Sequence, residues 1–130
     1  MIRDLALAAK ASCSLEDQES LVPLVLQLKQ LSELVSKQGM LALENELLQI
    51  KDSFLNLGLQ LIIDKVEPEN SQDILESDIY YNHSNGRELL KKIIIREGLL
   101  RIQAGDTSRN VLICTKIFLG KVDDGAFRSH

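Results

Sequence analysis

The chain has 130 residues, enough for one domain with a real core and too few for two ordinary ones. It is 45% apolar and 26% charged, with only 4% aromatic residues and no Trp, so the core has to be built from Leu, Ile and Val, which suits packed helices better than a sandwich or barrel. A formal net charge of −4 and a pI near 5.2 exclude generic nucleic-acid binding, because a phosphate clamp needs an excess of Lys and Arg.

The first stretch, MIRDLALAAKAS, reads as a short helix through Ile2, Leu5 and Ala9. Asp4 and Lys10 interrupt its apolar run too soon for a signal-peptide core. A polar linker, SCSLEDQES, completes an N-terminal unit over 1–20. In LVPLVLQLKQLSELVSKQ, Leu24, Leu28, Leu31 and Val35 recur at helical spacing, and Pro23 lies near the start, where a missing N–H costs nothing. Gly39 ends that helix, and MLALENELLQIKD then places Leu43, Leu47 and Ile50 on one face of a second helical run.

Ser53 is positioned to cap FLNLGLQLIIDKV, whose stripe of Leu55, Leu59, Ile62 and Val66 is widened by Phe54 and Leu61. The sequence EPEN breaks and restarts the chain, with Pro68 in the first turn and acids suited to the helix N-terminal dipole. The helix that follows, through Ile74, Leu75 and Ile79, runs to a turn at Asn85-Gly86. LLKKIIIREGLLRIQAG is the most apolar part of the chain, with Leu89, Ile93 and Leu100 on one face and Ile95, Leu99 and Ile102 on another. Gly105 is placed as a C-cap and Asp106 or Thr107 as the next N-cap, before a last helix, SRNVLICTKIFLG. The expected organisation is a helical domain over 21–120 and a loose tail over 121–130. Its fold class is an all-α compact bundle of five to six helices.

No constellation carries chemistry. His83 and His130 have no second His or Cys at ligand spacing, so no metal site is expected. Phosphate-loop, dinucleotide and nucleophile-elbow motifs are absent from the sequence. Asp123-Asp124 in the tail reads as a solvated pair rather than a catalytic dyad. Neither an enzyme nor a cofactor is expected. Cys13 and Cys114 stand far apart and read as free thiols of a reducing cytoplasm. No run reaches the ~18–20 apolar residues that span a bilayer, so no direct membrane insertion is expected.

The charges around KQGMLALENE are the remaining candidates for function. Glu33 and Lys37 are four apart, a favourable helix-surface pair, and Lys37 and Glu44 are seven apart. A solvated face with a glycine break is one reading. A docking surface of Glu33, Lys37, Glu44 and Glu46 is the other, since exposed mixed charges on rigid helices set orientation and partner choice.

Two stretches carry a family resemblance. LSELVSKQGMLALENELLQIKDSFLNLGLQLIIDKVEPENSQDILESDI has a basic helix end, a G-(L/M)-L-(A/S)-L-E run, a glycine-led apolar helix ending in Asp and a D-P-E-E-like restart. IIIREGLLRIQAGDTSRNVLICTKIFL has an E-G-(I/L)-L-x-I-Q-x-G-(D/E)-N-P-R-like turn and a helix ending in F-L. In this order, over roughly 24–120, they resemble the cytoplasmic segments of the flagellar stator protein MotA, of the MotA/TolQ/ExbB-type proton channel family. The membrane helices that separate those segments in the family are replaced here by about a dozen residues around YYNHSNGREL. The resemblance implies a cytoplasmic interaction module at the flagellar motor by the inner membrane, with flagellar rotor or stator proteins as partners. The family contacts the rotor switch protein FliG through complementary charges. Glu44 matches the family's acidic contact, while the basic position is Ser36 here with Lys37 adjacent. Asp106 and Arg109 match the family's turn and imply a cap and a packing ion pair. With membrane neighbours gone, the stripe of Leu89, Ile93, Ile95, Leu99, Leu100 and Ile102 is expected to drive homo-oligomer formation. A scaffold that oligomerises through these apolar helices without rotor contact is the alternative function.

Overall fold

A computed structural model describes residues 5–82 and 84–128. Ile2, Asp4, His83 and His130, which enter the readings above, lie outside the described residues. Among the described residues the structure is all helical, with α1 (Leu5–Lys10), α2 (Leu15–Glu19), α3 (Val22–Gln38), α4 (Glu44–Leu47), α5 (Ser53–Ile63), α6 (Pro68–Tyr81), α7 (Gly86–Gln103) and α8 (Ser108–Lys116). Single 3-10 turns cover Met40–Leu43 and Asp124–Phe127. These segments exceed the five or six expected, for two physical reasons. The linker after α1 carries its own helix, because the Ser14 hydroxyl caps it by accepting from the Asp17 N–H at 3.1 Å. The run after Gly39 divides into a 3-10 turn and one α turn, whose Leu47 carbonyl accepts from the Ile50 N–H at 3.3 Å and from the Asn56 side-chain amide at 3.1 Å.

Helix ends follow local chemistry closely. Pro68 opens α6, and Thr107 caps α8 by accepting from the Asn110 N–H at 3.1 Å. After α7, Gly105 donates to the Ile102 carbonyl at 3.0 Å and Asp106 to the Arg101 carbonyl at 3.1 Å, the paired bonds of a Schellman C-cap. At α5 the cap is Asp52 rather than Ser53, because a carboxylate one residue earlier reaches the Leu55 N–H at 2.9 Å.

α7 runs through the middle of the bundle, against α3, α5, α6 and α8. A Cβ on Gly98 would lie 2.8 Å from Leu28 Cδ1, so the missing side chain is what lets α3 approach so closely. Leu89, Ile93, Ile95, Leu99 and Ile102 are buried in this one core and Leu100 is half-buried. The stripe expected to join a second copy is therefore filled by the chain's own helices. Each such side chain gains about 1.5–3 kcal/mol by leaving water, and that burial is satisfied within one chain. The stretch expected as a loose tail also closes onto the fold. Phe127 is buried, and the Lys121 N–H donates to Gln18 Oε1 at 3.0 Å.

Candidate docking surface

The surface around Gly39 begins with a backbone constraint. Gly39 has φ +88° and ψ 169°, a conformation essentially reserved for glycine, and its N–H closes α3 by donating to the Val35 carbonyl at 2.8 Å. A Cβ there would meet nothing within 4 Å, so backbone geometry and not space requires the glycine. The chain leaves α3 in a new direction, and Leu43 and Ile50 anchor the next segment by burying inward.

That anchoring decides what faces water. Residues 41, 44 and 48 fall three and four positions apart, out of phase with 43, 47 and 50, so they share the outer face. Leu41 is 63% exposed and Leu48 96%, and Glu44 between them is exposed. Lys37 is exposed in the last turn of α3, where a cation suits the helix dipole. Glu33 and Glu46 are half-buried. Glu46 lines a shallow groove of about 370 Å³ with Gln27, Gln30, Leu34 and Gln49. Among the described residues none of these four charged groups is in an ion pair, so the expected Glu33–Lys37 helix pair does not form. The sequence reading placed these charges on the surface but missed Leu41 and Leu48. The signal was present in their phase against Leu43, Leu47 and Ile50.

A second set of charges is structural. Arg96 is only 1% exposed, yet its guanidinium bonds Glu76 on α6 and lies 3.3 Å from Glu97. Glu97 also takes Arg101 at 3.1 Å, and Arg101 reaches Asp106 at 3.6 Å. Asp106 thus pairs with Arg101 and accepts from the Asn110 amide at 2.8 Å, not with Arg109, whose side chain is turned to water. Lys91 of α7 holds Asp52 at 2.6 Å and Glu88 at 2.9 Å. Burial pushes the Asp52 carboxyl up, but the bonds from Lys91 and from the Leu55 N–H together outweigh it and hold the group below its usual range. Burial likewise lowers Lys91, and its two carboxylates more than reverse that.

Among the described residues no group of three or more His, Cys, Asp or Glu side chains is placed to hold a metal ion, and no helix is long and apolar enough to cross a membrane. The pairing of the two leucines with unpaired charges is the arrangement best suited to recognition. Aliphatic side chains supply area to bury, and the charges fix orientation.

No family model matches the sequence, and no solved structure matches it. Over 73 residues the chain is 34% identical to Motility protein A of Borreliella burgdorferi (strain ATCC 35210 / DSM 4680 / CIP 102532 / B31), a match that covers 54% of this chain. It spans 28% of the length of that curated relative.

Proposed function

We propose that the chain is a MotA-like protein–protein interaction module of bacterial motility that docks through the face built around Leu41, Glu44 and Leu48, with Lys37, Glu33 and Glu46 on its rim. The observation that carries the reading is the exposure of both leucines around an unpaired carboxylate. A partner that fits offers an apolar surface edged by basic groups. The MotA resemblance makes that partner the rotor switch protein FliG or the stator's cytoplasmic ring, on the cytoplasmic side of the inner membrane.

Binding of the intact chain to purified FliG and to stator particles, measured at low salt where charge docking is strongest, tests the reading. Glu44→Lys and Leu48→Ser are each expected to weaken binding by about tenfold, which corresponds to about 1.4 kcal/mol, with the thermal midpoint unchanged. Absence of binding to either protein, or binding indifferent to both substitutions, overturns it. The scaffold alternative is less favoured, because the apolar α7 stripe it would use is already inside the core.

A further inference from the structure

The geometry points to a second contact, between copies of this chain, in which the outer face of α8 of one copy docks on the outer face of α6 of the next. α6, with the sequence PENSQDILESDIYY, contains four acids and no base. Glu76 and Asp78 turn inward to Arg96 and Lys92 of α7. Glu69 and Asp73 stay exposed and, among the described residues, have no ion-pair partner. On the same outer face stand Ile74, Tyr80 and Tyr81, the last 78% exposed. α8, with the sequence SRNVLICTK, contains two bases and no acid. Its outer face carries Arg109, which is exposed and unpaired among the described residues, and Ile113, and is continued by Ile117 at the C-cap, 68% exposed.

The two faces also match in register. Asp73, Ser77, Tyr80 and Tyr81 follow the spacing of one helix face, and Arg109, Ile113, Lys116 and Ile117 repeat that spacing. Laid side by side in parallel, Arg109 meets Asp73, and Ile113 and Ile117 cover the tyrosine end, while the Lys116 ammonium stays with Asp124 of its own chain at 2.8 Å and adds no charge to the contact. Both helices pack on α7 with these faces turned outward, where a neighbouring copy can reach them. The contact is heterologous, joining different patches head to tail. A single helix face falls at the low end of interface sizes, below about 1,200 Å², which makes the association weak and sensitive to salt. It uses none of the residues of the Gly39 surface and stands independently of that reading.

Sedimentation velocity over a concentration series, at about 50 mM and about 500 mM salt, is the test. The intact chain is expected to associate with concentration at low salt and to dissociate at high salt. Asp73→Lys, which spoils the α6 face, and Ile117→Lys, which spoils the α8 face, are each expected to sediment as monomers with unchanged thermal midpoints. Mixed in equal amounts they are expected to form a 1:1 dimer, since one variant retains an intact α8 face and the other an intact α6 face. The double charge swap Asp73→Lys with Arg109→Glu is expected to restore association. A chain that stays monomeric at low salt, single variants that associate as the parent does, or a mixture that stays monomeric overturns the proposal.

Discussion

α7 and the short segment after Gly39 invert the simplest reading of their compositions. α7 has the strongest apolar run of the chain, yet its stripe is covered by helices of the same chain, and even Arg96 is buried with it. The segment from Met40 to Leu48 lies in a charged stretch, yet two of its leucines, Leu41 and Leu48, stand free in water. An apolar run reports how much surface must be covered, not who covers it. An isolated leucine whose phase opposes its anchored neighbours is the better sign of a surface kept for a partner.

The largest expected effect lies on the buried side of this contrast. Arg96→Ala leaves Glu76 and Glu97 without their shared cation, and breaking a buried pair from one side costs about 3–5 kcal/mol. Urea unfolding is expected to show that loss in its midpoint. A loss under about 1 kcal/mol would place Arg96 among ordinary surface charges and remove the distinction. Next is Gly39→Ala, which forces a side chain into a backbone conformation that costs about 1–3 kcal/mol. Because no atom crowds the site, the same measurement separates backbone strain from overpacking.

Asp52 ties the two regions together, capping α5 and pairing with Lys91 of α7. Asp52→Ala is expected to cost about 1 kcal/mol at neutral pH from the lost cap alone. The folded-state pKa of Asp52 is lowered, so its contribution is fully present above the unfolded value near 4 and disappears as pH falls through the folded value. The difference between parent and variant is therefore expected to shrink on acidification below about pH 4. A difference constant down to the lowest pH at which the fold survives would argue against a charge-based contribution. The smallest effect is that of Leu48→Ser, expected within about 0.5 kcal/mol of the parent despite the loss of a large aliphatic side chain. A larger loss would make Leu48 part of the fold and take it out of the docking surface.

The legible parts of the fold were those governed by near neighbours in sequence. Pro68, Gly105 and Thr107 act where their chemistry puts them, because a cap or a missing N–H acts within one turn. Ser53 yielded to Asp52 for the same kind of reason, a carboxylate one residue away with better reach. The candidate site was legible in part. Lys37 and Glu44 lie on the surface as read, whereas the Asp106–Arg109 pair gave way to Arg101 and Asn110 once α7 and α8 met at their shared turn.

From residue order alone came the helical class, the breaks at Gly39 and Pro68 and the acidic, aromatic-poor character, since propensity, periodicity and charge are local or additive. Whether the stripe of Leu89, Ile93, Ile95, Leu99 and Ile102 faced a second copy or the chain's own helices required knowing which helices surround α7. The same packing buried Arg96 against Glu76 and turned Leu48 outward. Burial is a property of neighbours far apart in sequence, and helical periodicity fixes a face without naming what lies against it.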